Sequence, residues 1–329
     1  MTSTTLPVPD DHTTKRRTLR TVAIAACLPY LSLKVAWLAG SHLGIPEGSV
    51  LRDADAGLVA ANAVTVLMDA AVVVLAVLLT RPWGRRVPAW ALLLPVWGAV
   101  GLLTPIMYAF PAQLLVRALG GSAAGSGGGD ERPFLDEWVF GVVYTGFIVQ
   151  GLALGALFVP YARERWGHLW QGRVAGPGRT APGRGQRAAA TVAAVLAVVT
   201  GGVHLLWACG RPVGLSPELA REYGGAFAAG ESGYVLYAGA TVAGVVLLLS
   251  GRAGGLPLRV PLILAGVGSA ASAAWGGWQL LALMTSLAAD GRGPTAPMAV
   301  TYAVQVITGL LLLAAGTGFF ARRAACLAP

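Results

Sequence analysis

The chain has 329 residues, of which 55% are hydrophobic and only 12% charged, and its formal net charge is +9 at pH 7. Soluble domains have about 25% charged residues, so this composition excludes an ordinary soluble protein and indicates lipid as the solvent. The positive charge does not indicate nucleic-acid binding, because the basic residues are not gathered on a folded soluble face.

Long apolar segments follow one another along the chain. About 20 such residues cross the ~30 Å hydrocarbon core as a helix, and a helix satisfies its own backbone hydrogen bonds in lipid. The sequence therefore predicts an all-α, polytopic membrane protein with eight transmembrane helices, near 21–40, 57–80, 87–110, 135–160, 188–208, 233–250, 260–286 and 297–320.

The basic residues between these segments predict the orientation of the chain. Alternate gaps, starting with the N-terminal tail, hold 17 of the 24 Lys and Arg residues, whereas most of the acidic residues lie in the other gaps. Because cytoplasmic loops collect Lys and Arg, the sequence predicts a multi-pass protein of the cell membrane with both termini in the cytoplasm.

The first and fifth segments share a pattern that indicates an internal duplication. They align without a gap at four positions each: Lys34, Trp37, Gly40, Gly44 and His204, Trp207, Gly210, Gly214. We therefore predict a disordered cytoplasmic tail (1–18), a first four-helix repeat (19–163), a basic cytoplasmic linker (164–187) and a second four-helix repeat (188–324). Repeats with an even number of helices enter the membrane in the same orientation, as in parallel-repeat membrane folds.

Polar and aromatic side chains fall on single faces of several predicted helices. On the first helix they recur at i, i+4 and i+7, which places them on one face. If these faces meet in a cavity, we expect the substrate-binding residues to be Tyr30, Lys34, Trp37, Asn62, Thr65, Tyr144, Trp207, Trp278 and Gln305. The alternative is that such groups only join helices, at ~0.6 kcal/mol per hydrogen bond.

Lys34 and Asp69 are ionisable residues inside predicted helices, where each charge costs about 2.5 to 3.5 kcal/mol on insertion scales. One interpretation is an ion pair between Lys34 and Asp69 that joins the first two helices. The other is functional: an unpaired carboxyl group in an apolar cavity would carry its proton and act as an acid.

The candidate catalytic residues are Asp69, Glu137, Glu231 and His204. Glu137 and Glu231 open the fourth and sixth predicted helices, where helix N-termini also favour carboxylates for purely structural reasons. A single histidine on a helix face is either a proton carrier or an ordinary packing residue.

No motif in the sequence indicates a metal or a cofactor. The chain lacks the H-E-x-x-H pattern of zinc proteases. It also lacks an aspartate-rich D-x-x-x-D pair for magnesium diphosphate, and its three cysteines have no C-x-x-C spacing. We therefore expect no cofactor.

Four stretches carry a resemblance to known proteins: "LKVAWLAGSHLG" (33–44), "NAVTVLMDAAVVVLAVLL" (62–79), "WGRRVPAWALLLP" (83–95) and "DEWVFGVVYTGFIVQG" (136–151). They resemble a family of actinobacterial polytopic membrane proteins with eight helices. Within that group the chain is similar to the membrane-bound terpene cyclases of the drimentine type. The resemblance implies proton-initiated cyclisation of a farnesyl chain on an indole diketopiperazine, and it assigns no individual residue.

The first functional hypothesis is therefore a metal-independent membrane enzyme of terpenoid secondary metabolism. Its partners would be the lipid bilayer and an apolar, prenylated or lipid-like small molecule, and it would not bind nucleic acid. Two alternatives stay open. One is a small transporter or permease that uses Lys34, Asp69 and His204 as a relay, and the other is a non-catalytic membrane scaffold.

Overall fold

The protein is all-helical, as predicted. The structure, a computed structural model, describes residues 11–52, 56–121, 135–175, 182–221, 223–251, 254–290 and 295–327, and these ranges contain no β-strand. The α-helices are α1 (Asp11–Leu38), α2 (Ala56–Leu78), α3 (Ala89–Ala118), α4 (Glu137–Trp170), α5 (Arg184–Ala208), α6 (Pro217–Arg221), α7 (Gly225–Ser250), α8 (Arg259–Asp290) and α9 (Ala296–Leu327).

Seven of these helices are long and apolar enough to cross a membrane: α1, α3, α4, α5, α7, α8 and α9. Their length and composition indicate a multi-pass membrane protein. The helix α2 lies where the second span was predicted, but its described apolar part, Asn62–Leu78, is shorter than the other seven.

Two helices extend into segments that were predicted to lie outside the membrane core. The helix α1 begins at Asp11, inside the predicted disordered tail (1–18), so residues 11–18 are helical and only 1–10 lie outside the described residues. Arg16 in these first turns forms an ion pair with Glu164 of α4, which ties the start of α1 to the bundle. The helix α4 continues to Trp170, inside the predicted linker (164–187), of which residues 176–181 are not described.

The chain forms two compact units. Unit 1 consists of residues 1–95 and 132–165, and unit 2 of residues 96–131 and 166–329. In unit 1, α1 packs on α4 through a cluster of buried Leu33, Val139 and Val143, against which Tyr30 and Phe147 also pack.

Unit 2 contains the second half of α3, a helix of the predicted first repeat. Four hydrogen bonds hold it to α7 and α8: Tyr108 Oη to Ser232 Oγ at 2.8 Å, Gln113 Nε2 to Ala226 O at 3.4 Å, Tyr237 Oη to Thr104 O at 3.1 Å, and Trp275 Nε1 to Leu102 O at 3.0 Å. The predicted boundaries of the repeats therefore differ from the compact units.

Small residues let the helices of unit 2 approach closely. A Cβ atom added to Gly268 of α8 would lie 2.6 Å from Tyr237 O in α7, and one added to Gly276 would lie 2.7 Å from Tyr302 O in α9. These glycines belong to the small-residue stretch 265–277. Close backbone approach of this kind stabilises helix pairs in lipid, where burial of apolar surface gives no driving force.

The helices α1 and α5 end in the same turn. In both, the tryptophan just before the last helical residue donates its indole N–H to a backbone carbonyl six residues later: Trp37 Nε1 to Leu43 O at 2.8 Å, and Trp207 Nε1 to Val213 O at 2.9 Å. A tryptophan at each of these positions thus fastens the chain as it leaves the helix.

Glycines in the left-handed region complete both turns. Gly40 and Gly210, two residues after the helix end, have φ of +87° and +75°, and Gly44 and Gly214 have φ of +72° and +78°. Side chains with a Cβ are strained in this region. The repeated Trp and Gly spacing in the sequence therefore reflects a repeated turn.

Candidate functional site

The ammonium group of Lys34 lies among neutral groups in unit 1. Lys34 is 9% exposed, and its Nζ donates a hydrogen bond to Asn62 Oδ1 of α2 at 2.5 Å. The same nitrogen lies 4.9 Å from the ring centroid of Tyr30 and 5.1 Å from that of Trp37. An amide oxygen and two aromatic faces therefore surround the cation.

The predicted Lys34–Asp69 ion pair is wrong: the ion pairs among the described residues do not include it. The reason is the axial position of the two residues. Lys34 lies four residues from the end of α1, whereas Asp69 lies thirteen residues from the start of α2. At 1.5 Å per residue, Lys34 lies ~6 Å from the end of α1 and Asp69 lies ~20 Å from the start of α2. Asn62, at ~9 Å, lies level with the lysine.

Asp69 is buried without an ion-pair partner. Its side chain is 3% exposed. The side chain of Gln150, from α4 and 1% exposed, hydrogen-bonds to the Asp69 carboxyl group. The second carboxyl oxygen, Oδ2, has no hydrogen-bond partner, and neither has Gln150 Oε1. We call Asp69 and Gln150 the Asp69 site.

Aromatic side chains of α1 and α4 pack in the same unit. The rings of Tyr30 and Phe147 meet edge to face with centroids 5.2 Å apart, and the rings of Phe147 and Tyr144 are 6.5 Å apart. Thr65 of α2 hydrogen-bonds to Tyr30. Of the predicted substrate-binding residues, the structure thus brings together those of α1, α2 and α4.

A second ionisable group lies in unit 2. His204 is 1% exposed. Its Nδ1 lies 2.6 Å from Glu231 Oε2 of α7, and its Nε2 lies 2.8 Å from Gln305 Nε2 of α9. This arrangement fits a neutral imidazole that donates from Nδ1 to the carboxylate and accepts at Nε2 from the amide. We call these three residues the His204 site.

Aromatic rings hold the imidazole in place. Tyr234 stacks on His204 with centroids 4.2 Å apart and an interplanar angle of 12°, and Trp207 meets it edge to face at 4.9 Å. Gln305 Oε1 is buried without a partner. If the imidazole gained a second proton, reversal of the Gln305 amide would present this oxygen to the new Nε2–H.

The surroundings of Lys34 and of His204 occupy related places in the chain. Lys34 and His204 have matching positions in α1 and α5, and each is bound by a residue in the second turn of the following long helix, Asn62 or Glu231. Thr65 and Tyr234 follow these partners by three residues. The residues 62–67 ("NAVTVL") and 231–236 ("ESGYVL") share the spacing and the Val-Leu pair, so this repeat in the sequence marks Asn62 and Glu231 as equivalent positions.

The structure does not bring the remaining predicted residues into either site. Glu137 is exposed in the first turn of α4, and Trp278 is partly buried on α8. In the described part of the chain, no group of three or more His, Cys, Asp or Glu residues could hold a metal ion. Gln150 and Tyr234 are site residues that the sequence analysis did not predict.

A shallow apolar groove of about 530 Å³ lies between α1 and α4 in unit 1. Its walls are mostly alanine, valine and glycine residues, including Ala26 and Gly146 together with Pro29, and none of the predicted site residues lines it. The predicted site residues are therefore separate from this groove.

Comparison with known proteins gives no further assignment. No protein-family model matches the chain, and no curated protein or solved structure matches it.

Proposed function

We propose that the protein is an integral membrane enzyme that cyclises an apolar, prenylated substrate, with Asp69 as the proton donor. The observation that carries this proposal is the buried, unpaired carboxyl group of Asp69, whose Oδ2 has no hydrogen-bond partner. Burial of a charged carboxylate with an oxygen that accepts no hydrogen bond costs free energy in an apolar interior. The neutral carboxylic acid avoids this cost and can donate its proton to a substrate.

The chemistry requires one acid and no metal. The proton of Asp69 would move to a terminal double-bond carbon of the prenyl chain, and the resulting carbocation would be attacked by a second double bond to close a ring. Loss of a proton from the final cation, returned to Asp69, completes an isomerisation with no net change in atoms. During this time the hydrogen bond from Gln150 stabilises the carboxylate.

Aromatic faces support the cationic intermediates in the proposed mechanism. Ring faces attract cations through their quadrupole. Lys34 lies over Tyr30 and Trp37, and the neighbouring rings of Tyr144 and Phe147, whose centroids are 6.5 Å apart, are the aromatic groups proposed to stabilise a carbocation. Because Lys34 bonds to Asn62, it does not form an ion pair with Asp69.

The proposed membrane layout has eight spans in two parallel four-helix repeats, with α2 as the eighth span and both termini in the cytoplasm. The identical end turns of α1 and α5 support the repeats. The 23-residue length of α2 supports the eighth span, because 17 to 25 residues are enough to cross the core. The alternation of basic and acidic gaps supports the orientation.

Substitution of Asp69 tests the proposed reaction. With a farnesylated indole diketopiperazine as probe and purified protein in nanodiscs, Asp69→Asn should lower the cyclisation rate about 100-fold or more, because the amide has no acidic proton. Asp69→Glu should restore part of the activity. Product formation is measured by chromatography and mass spectrometry.

Asp136→Asn is the matched control, because Asp136 precedes α4 and lies outside the Asp69 site. It should keep the wild-type rate. A wild-type rate in folded Asp69→Asn would remove Asp69 from the mechanism.

The His204 site favours a second candidate, a proton-coupled transporter. Hydrogen-bonded ionisable groups inside a membrane protein mark proton pathways, and His204, Glu231 and Gln305 form such a chain. Proton flux into liposomes that depends on a cargo and is lost in His204→Ala, together with no cyclisation of the prenylated probe, would favour the transporter.

A further inference from the structure

We propose that Arg322 and Arg323 bind the phosphate group of an anionic phospholipid at the arginine-rich end of unit 2. Both residues lie in the last two turns of α9. Arg322 is 26 residues from the start of this helix, or ~39 Å at 1.5 Å per residue. A bilayer is ~30 Å thick in its hydrocarbon core and ~40–45 Å with its headgroups. An α9 that starts at one interface therefore places Arg322 among the headgroups of the other.

Arg322 has an unused edge that fits a phosphate. Its Nε and Nη2 are buried and have no hydrogen-bond partner. These two N–H groups point to the same side of the guanidinium plane, and this pair is one of the edges that bind two oxygens of a phosphate or carboxylate. The residue as a whole is only partly buried, so the headgroup would approach the guanidinium from its exposed side and displace the protein atoms that cover the Nε and Nη2 edge.

Arg323 contributes a second cation beside it. Its Nη2 donates a hydrogen bond to Gln171 O at 2.7 Å, whereas its Nε has no partner. The segment that carries Gln171 is held by Val174 N to Leu256 O and Leu258 N to Gly172 O, each at 3.0 Å. The guanidinium is thus anchored on one side and has a free donor on the other.

Glycine at the start of α5 makes room for Arg322. A Cβ atom added to Gly183 would lie 2.7 Å from Arg322 Nη1. Nη1 of the guanidinium therefore lies against the backbone that precedes α5. The opposite edge, formed by Nε and Nη2, has no acceptor among the protein residues that the structure describes. A buried donor without an acceptor costs about 1 to 3 kcal/mol, more when it is charged.

The carboxylates described from residue 166 onward do not supply this acceptor. They belong to Glu218 in α6, Glu231 in the second turn of α7 and Asp290 at the end of α8. All three lie toward the helix ends opposite Arg322, near the α5–α7 and α8–α9 connections. Among the residues that the structure describes in this part of the chain, the arginine end thus has positive charge without a carboxylate, and an anionic lipid headgroup is the ligand that membranes offer there.

Lipid binding to detergent-purified protein tests the proposal. Native mass spectrometry should show phosphatidylglycerol retained in preference to phosphatidylcholine, and Arg322→Gln should weaken the retention about 10-fold. Arg322→Lys should weaken it nearly as much, because lysine keeps the charge but has no planar pair of donors. Millimolar inorganic phosphate should not displace the lipid.

Arg187→Gln is the matched control, because Arg187 is an exposed arginine of the first turn of α5 at the same end of the unit. It should retain phosphatidylglycerol like wild type. Equal losses for Arg187→Gln and Arg322→Gln, or full rescue by Arg322→Lys, would show a diffuse positive surface and overturn the site. Displacement by inorganic phosphate would point to a free phosphate as the ligand and overturn the lipid assignment.

Discussion

Gly309→Val is expected to lower the free energy of unfolding by about 3 kcal/mol, the upper part of the range for overpacking. A Cβ atom at Gly309 of α9 would lie 2.3 Å from Ala273 Cβ and 2.6 Å from Ser269 O, both in α8. Backbone atoms cannot move aside as a flexible side chain can, so α8 and α9 would have to separate. Unfolding in mixed micelles with increasing SDS measures the change.

The control for this substitution lies on the same helix. Gly316 has nothing within 4 Å of an added Cβ, so Gly316→Val should change the free energy of unfolding by less than about 1 kcal/mol, within the spread of helix propensities. Similar losses for the two variants would mean that the close approach of α8 and α9 does not exist.

His204→Ala is expected to destabilise the protein by about 3 kcal/mol, because it leaves the partly buried carboxylate of Glu231 without its hydrogen-bond donor. Removal of both partners in His204→Ala/Glu231→Gln should recover a large part of this loss, since no uncompensated charge remains. A double-mutant cycle on unfolding free energies gives the coupling between the two residues directly.

His168→Ala serves as control, because His168 is exposed near the end of α4. It should leave stability within about 0.5 kcal/mol of wild type. A coupling between His204 and Glu231 below about 0.5 kcal/mol would contradict the hydrogen bond between the buried imidazole and the Glu231 carboxylate at 2.6 Å.

The helices could be predicted from the sequence because lipid imposes a simple rule on it. A span must be apolar over about 20 residues, and each predicted segment coincides with a helix of the structure. Helix ends were less predictable. The helix α4 continues ten residues past the predicted end at 160. Hydropathy marks only the apolar part of a helix, and polar residues such as Arg163 and Glu164 remain helical beyond it.

Most residues of the candidate sites could be predicted from the sequence, but not which of them bond to each other. The Trp and Gly spacing shared by α1 and α5 placed Lys34 and His204 at equivalent positions, and the structure gives both the same end turn. The partner of each residue depends on axial offsets of a few ångströms between neighbouring helices, and a sequence does not contain these offsets. Lys34 therefore pairs with Asn62 rather than with Asp69, and His204 with Glu231.

The neighbours of α3 could not be predicted from its position in the chain. The sequence predicts that α3 belongs to the first repeat, and hydrogen bonds from Tyr237 and Trp275 join its second half to the helices of unit 2. An apolar helix with few polar groups has no pattern that selects one neighbour over another. Only the tyrosine and tryptophan donors of α7 and α8, which need buried acceptors, carry that preference.

The most direct test of the account is the protonation state of Asp69 in the membrane. Infrared spectroscopy of the protein in nanodiscs at neutral pH should show the carbonyl band of a carboxylic acid that Asp136→Asn retains and Asp69→Asn lacks. Absence of such a band from wild type, or its persistence in Asp69→Asn, would show that Asp69 is not the buried acid and would contradict the proposed mechanism.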